Sequence, residues 1–255
     1  MSNKKYIAEL LGTFIFCLGI NMSTNYTPSK EDEDYINKQI PNLFGIIASL
    51  FCAITITRNV SGGHLNGAVS LAFAIDELRV NKLLEISDNN SILVFIKYYV
   101  FQCIGAFIAC TLSFFFYHGH ILTFSDEKYS LFGIIISEGI ATFIFVFNIL
   151  TQAEHRFSKN NSISSLLIVL GLYAAVSITS ICSSGCINPS LALGHFIARF
   201  MFNKATPFEF YQTILYVAGE AAGAFVAGVL YNKYFRGEVD VKQDAKEALR
   251  PEDDH

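Results

Sequence analysis

Apolar residues run along this chain in stretches too long for ordinary core helices. Six of them, at about 6–24, 42–60, 91–116, 131–151, 162–182 and 208–235, reach the roughly 20 residues that a helix needs to cross a bilayer. Two shorter runs, about 67–75 and 189–200, each follow a polar turn. They are too short to span, and re-entrant half-helices fit them. The pattern predicts an all-α membrane protein with six transmembrane helices and two half-helices.

The pattern also occurs twice. Ala8-Glu9-Leu-Leu-Gly-Thr13-Phe matches Ser137-Glu138-Gly-Ile-Ala-Thr142-Phe. Ser61-Gly-Gly-His-Leu-Asn66-Gly-Ala matches Ser183-Ser-Gly-Cys-Ile-Asn188-Pro-Ser, and Gly105-Ala-Phe-Ile-Ala matches Gly223-Ala-Phe-Val-Ala, with Gln102 opposite Glu220. Three matches in the same order point to duplication. The repeats cover about 6–116 and 131–235. Each has three spans, an odd number, so the second inserts upside down relative to the first. Inverted repeats of this kind build their sites at the midplane, where broken helices meet. Small residues in the third and sixth spans, including Gly105, Ala109, Gly219 and Gly223, predict close helix contact in lipid.

Composition agrees with a membrane setting: 52% hydrophobic, 16% charged, mean hydropathy +0.41. A net charge of −4 gives no basic patch and no reason to invoke nucleic acid. Placing both termini in the cytoplasm puts thirteen Lys and Arg on that side, Lys4, Lys5, Arg58, Arg156 and Lys233 among them, and five on the other. Lys4-Lys5 before an apolar run could pass for a secretory leader. Glu9 interrupts that run without a clear cleavage site, and a retained first span is expected. The channel unit is expected over 1–235, and the polar remainder, 236–255, reads as a flexible cytoplasmic tail. All six Cys fall in or beside spans, as packing residues rather than a secreted disulfide framework. Glycosylation patterns at Asn21 and Asn25 lie near an outside end and are weak signals.

The chemistry centres on Asn66 and Asn188. Asn is a favoured helix N-cap, its amide oxygen taking an orphan backbone N–H while its NH2 points elsewhere. Each half-helix N-terminus carries about half a positive charge. Two such ends at the bilayer centre favour a neutral solute with a lone pair and disfavour cations. Glu9 and Glu138 sit inside spans, where an unsatisfied carboxylate costs about 2.5–3.5 kcal/mol or more. They are expected to accept hydrogen bonds from the re-entrant turns. The rival is a proton-coupled transporter in which they titrate. His64 is expected to hold its turn or line a vestibule, and Gln102 to bond helix to helix. No cofactor, metal cluster, nucleophile–base set or phosphate loop is visible, which leaves an enzyme as a distant reading.

These motifs resemble the aquaporin family, the major intrinsic proteins, over about residues 6–235. The resemblance implies six helices plus two half-helices, one pore per subunit, a homotetramer, and passage of water, glycerol, urea, ammonia or similar neutral solutes. Three departures stand out. The family's Asn-Pro-Ala is here Asn66-Gly67-Ala68 and Asn188-Pro189-Ser190. Gly67 lacks the first-turn proline that suits a helix start, and is expected to loosen the midplane contact. The Arg usual three residues after the second Asn is here Leu191. Spacing from the Asn residues puts Ile46, Val176 and Gly185 at the other outer-constriction positions, all apolar or small. Arg199 lies too far along to replace the missing Arg, and is expected to snorkel to the outer interface.

The expected function is a passive channel for water or small neutral solutes in a multi-pass membrane location. The alternatives are the proton-coupled transporter and a poorly conducting structural member of the family.

Overall fold

The computed structural model describes residues 3–24, 35–83, 90–116, 118–153, 161–179 and 182–236. Eight α-helices follow in order among them: α1 Lys4–Thr24, α2 Tyr35–Ser61, α3 Gly67–Leu83, α4 Ser91–Phe116, α5 Leu131–Ala153, α6 Asn161–Thr179, α7 Pro189–Met201 and α8 Pro207–Leu230. A π-helical turn, Tyr231–Phe235, extends α8. Six helices are long and apolar enough to cross a membrane. The other two, α3 and α7, are the shorter pieces that follow Asn66 and Asn188. Among the described residues the chain is thus all-helical, with six spans and two half-helices. The tail at 237–255 and the pattern at Asn25 lie outside the described residues.

Several boundaries differ from expectation. Helix α3 runs to Leu83 rather than stopping near 75. Its second half carries Asp76, Glu77 and Arg79, so apolarity ends before the helix does. Asp76 is buried, and Arg236, just past the π-helical turn, pairs with it. Helix α2 begins at Tyr35, and α6 ends at Thr179.

Packing follows the repeat: α1 lies against α4 as α5 lies against α8. Both contacts depend on missing side chains. A Cβ at Gly105 would collide with the Leu10 carbonyl across α1, and one at Gly223 with the Gly139 carbonyl across α5. Gly194 plays the same part where α7 meets Ala106 and the Cys103 carbonyl of α4. Backbones can approach this closely only where the residue is small. The large apolar side chains not used in this core, such as Ile92, Phe132, Leu166 and Phe210, face outward, as a lipid-facing surface requires.

Candidate functional site

The two polar turns that precede α3 and α7 adopt the same unusual backbone. Gly63 and its counterpart Gly185 have φ of +64° and +67°, and Leu65 and Ile187 both have φ of +53°. The left-handed region is uncommon for Leu and a real outlier for β-branched Ile. Each such residue costs on the order of 1–3 kcal/mol and persists only where neighbours hold it.

Those neighbours are Glu9 and Glu138. Glu9 Oε1 accepts from Ser61 Oγ at 2.6 Å and the His64 N–H at 3.0 Å, and Oε2 accepts from the Leu65 N–H at 2.7 Å. Glu138 repeats this with Ser183 Oγ at 2.6 Å and the N–H groups of Cys186 and Ile187 at 3.2 and 2.8 Å. Both carboxylates are fully buried. Backbone N–H groups with no water to bond therefore find an acceptor inside the protein.

The strained residues hold the opposite turn through their carbonyls. Asn66 Nδ2 donates to Ile187 O at 2.8 Å, and Asn188 Nδ2 donates to Leu65 O at 2.9 Å. Each Asn oxygen caps its own half-helix: Ala68 N–H to Asn66 Oδ1 at 2.8 Å, Ser190 N–H to Asn188 Oδ1 at 3.0 Å. One hydrogen of each NH2 is thus committed to the opposite turn, and the second takes no part in these bonds.

The contact expected to loosen at Gly67 is formed in the structure. Both cross-turn bonds are made, and the ring of Tyr99 stands where a Cβ at Gly67 would lie. The aromatic ring from α4 fills the space that a larger residue would take. Ala68 is buried, and so is Pro189 at the first turn of α7. Ser190 has its own use: Oγ donates to Gln102 Oε1 at 3.0 Å. Gln102 Nε2 in turn donates to Glu9 Oε2 at 2.7 Å and Ser70 Oγ at 3.0 Å. Gln102 therefore ties the second half-helix to the carboxylate of the first repeat.

A cavity of about 350 Å³ adjoins the first turn, lined by His64, Arg58, Gly63, Val69, Phe73 and Ile168 among others. His64 stacks on Phe73 with ring centres 4.6 Å apart, and its Nδ1 lies 3.2 Å from Ser70 Oγ. Arg58 donates to Ser164 and Ser165 at 3.2 Å each. A second cavity, about 180 Å³, adjoins the other turn and is lined mostly by apolar groups, including Phe16, Ile20, Phe124 and Leu172. Ile46, Val176 and Gly185 line it, as does Cys186. Leu191 departs from its expected place. It is fully buried and does not line this cavity. An apolar side chain gains nothing by projecting into a wet space, and Leu191 packs in the core instead.

Other expectations are corrected. Arg199, expected to snorkel to the outer interface, has its guanidinium held by protein groups instead. Its Nε bonds Glu209 at 2.6 Å, and its other nitrogens bond the carbonyls of Ile121 and Lys204 at 2.7 and 2.8 Å. Asn21 is buried against His195, out of reach of a glycosylating enzyme. Sequence spacing indicated no metal-ligating cluster, yet folding brings Cys17, Cys110 and His195 within 4.8 Å of one another. Cys52 and Cys182 are exposed rather than packed. In the loop before α5, the Lys128 side chain bonds Asp126 at 2.7 Å and holds that exposed carboxyl below its usual range.

Three partners were missed that the repeat could have revealed. Glu220, opposite Gln102, accepts the Asn188 N–H at 2.8 Å. Tyr98 and Tyr216, also repeat-matched, brace the turns. Tyr98 Oη donates to Ser61 O at 2.8 Å, while Tyr216 Oη accepts the Ser184 N–H at 3.0 Å and donates to Phe124 O at 2.8 Å.

Cys186 supplies a probe of this geometry. A mercurial added from the side of the second cavity should block flux, and Cys186→Ser should restore it while Cys182→Ser does not. Relief by Cys182→Ser instead would put the turn in the wrong place.

The profile of the family described as "Major intrinsic protein" matches residues 1–231. A probable aquaporin of the TIP type from Antirrhinum majus is 26% identical over 92% of this chain and 88% of its own length. Aquaporin TIP2-1 from Zea mays is 26% identical over 92% and 89%. Among solved structures, the aquaglyceroporin from Plasmodium falciparum superposes with a TM-score of 0.67 at 25% identity, covering 94% of this chain and 98% of that one.

Proposed function

The chain belongs to the major intrinsic protein family, whose members are membrane channels and not enzymes, and from that premise we propose that it passes small neutral solutes down their gradient without coupling to protons. The observation that carries this reading is the reciprocal pair of Asn turns. Two amide donors and two half-helix N-termini meet between two cavities. A neutral solute with a lone pair can take the spare Asn hydrogens, while the positive helix ends oppose cations. The second cavity, bounded by Ile46, Val176 and Gly185, offers few polar partners. Its selectivity rests on width, which suits glycerol or urea as well as water. The excess of Lys and Arg supports cytoplasmic termini, with the first cavity opening inward. The outward-facing apolar surface and the family resemblance support a homotetramer in the bilayer.

Proteoliposomes with stopped-flow detection test this. Water, glycerol, urea and ammonia are compared, with and without a pH gradient. Asn66→Ala and Asn188→Ala should each insert normally yet cut flux at least tenfold, since each removes a solute donor and opens the opposite turn. Unchanged flux through either folded variant would remove the paired-Asn mechanism, and uptake driven by the pH gradient would favour the transporter. Near-complete burial of Asn66, Asn188 and Leu191 favours a second reading, a poorly conducting family member. Flux no higher than in empty vesicles would establish it.

A further inference from the structure

Three helices bring soft ligands together. Cys17 on α1 and Cys110 on α4 place their sulfurs 3.9 Å apart, and His195 Nε2 on α7 lies 4.0 Å from Cys17 Sγ. All three side chains are buried. Asn21 completes the cluster, with Nδ2 at 3.7 and 3.6 Å from the two sulfurs and Oδ1 at 2.8 Å from His195 Nε2.

We propose that Cys17, Cys110 and His195 form a binding site for a divalent thiophilic cation of the zinc class. Three observations lead there. The first is spacing. Zinc–thiolate bonds are about 2.3 Å, so two thiolates on one tetrahedral ion sit about 3.8 Å apart, close to the 3.9 Å between these sulfurs.

The second is the orientation of the imidazole. His195 Nδ1 lies 2.9 Å from Leu191 O. A carbonyl only accepts, so Nδ1 carries the hydrogen and the Nε2 side faces the sulfurs. Metal-ligating histidines are held in this way, by donating their other nitrogen to a carbonyl or carboxylate. The Asn21 oxygen beside Nε2 then brings two lone pairs together. A cation shared between them makes that contact favourable. With a cation, Asn21 Oδ1 supplies the fourth ligand.

The third is charge. Two thiolates and one divalent ion sum to zero, whereas a net charge at this depth is costly. Copper(I) with the same ligands would leave one negative charge. On binding, two S–H bonds break, two metal–sulfur bonds form and two protons leave to water. A small cavity of about 10 Å³, lined by Thr123, Ser125, Glu209 and Gln212 among others, borders His195. That is about one water-sized sphere.

The site would fasten α1, α4 and α7 to one another. His195 is held to Leu191, one turn past Asn188, so the ion would steady the half-helix that carries the second Asn.

The test uses the full chain purified in detergent and stripped with a chelator, with zinc alone as the probe. Equilibrium dialysis and elemental analysis should give about one zinc per chain, with a rise in Tm. Cys17→Ser and Cys110→Ser should each weaken zinc binding at least tenfold, and Cys52→Ser, an exposed thiol, should leave it unchanged. Should the serine variants fail to fold, X-ray absorption at the zinc edge of the unaltered chain decides. Two sulfurs at about 2.3 Å support the site. The proposal is overturned by substoichiometric zinc, by a shell of oxygen and nitrogen only, by selective uptake of copper(I), or by a mass two daltons lower that locates a Cys17–Cys110 disulfide.

Discussion

Glu9→Leu should abolish recovery of a folded channel. Glu9 receives four donors: Ser61 Oγ, the N–H groups of His64 and Leu65, and Gln102 Nε2. Each buried donor left without an acceptor costs about 1–3 kcal/mol. Four of them amount to about 4–12 kcal/mol, comparable to the whole stability of a typical domain, about 5–15 kcal/mol. The strained backbone at Leu65 would lose its anchor as well. Glu9→Gln should be much milder. It keeps one acceptor oxygen, enough for one of the two donor pairs, and turns an amide toward the other. Gel filtration in detergent and thermal unfolding check the order: wild type above Gln above Leu. A Leu variant with the wild-type elution and Tm would show that the turn holds itself. The Gln variant also addresses the transporter rival, because its flux should be the same with and without a pH gradient.

Gly223→Val should be the most damaging change on the helix faces, and Gly105→Val should match it in the other repeat. At Gly223 the first added carbon meets the Gly139 carbonyl and presses on the Phe143 nitrogen. At Gly105 it meets the Leu10 carbonyl. These obstacles are backbone, held in their own helices, and cannot rotate aside as a side chain could. Overpacking in a core costs about 1–3 kcal/mol where side chains yield; here the helix pair must part, and a larger loss is expected. Gly228→Ala is the control, since its nearest neighbours stand at 3.4–3.5 Å, ordinary contact. Thermal unfolding in detergent should show a drop of many degrees for each Val variant and little change for Gly228→Ala. Equal Tm values across the three would mean that the close approach is not needed.

Much of this structure could be read from the order of residues. Long apolar runs marked the spans, and duplication located the Asn turns and the paired Glu9 and Glu138. What escaped has physical causes. Periodicity cannot show that α3 continues past Ile75, because its polar second half is stabilised by Arg236, 160 residues away in the chain. Gly67 looked like a weakened helix start only because Tyr99, the ring that fills its space, belongs to another helix. Leu191 was placed by analogy with a charged residue, and an apolar side chain follows different energetics at the same position. Arg199 found Glu209 across a turn that apolar patterning does not describe. Cys17, Cys110 and His195 come from three helices spread over most of the chain, a proximity that no local spacing encodes.

The exchange of hydrogen bonds between the two turns also orders events during synthesis. Asn66 and Leu65 need partners at Ile187 and Asn188, residues made more than a hundred positions later. At about 5–20 residues per second, the ribosome delivers them roughly 6–25 s after the first turn has entered the membrane. During that interval the first half has only its own groups, Glu9 foremost and Tyr98 beside it, to hold a strained turn in lipid. Its early survival depends on that carboxylate, and its completion on a second half arriving upside down. A chain stopped after α4 should therefore insert three spans yet leave Asn66 accessible, and be cleared by membrane proteases faster than the finished protein.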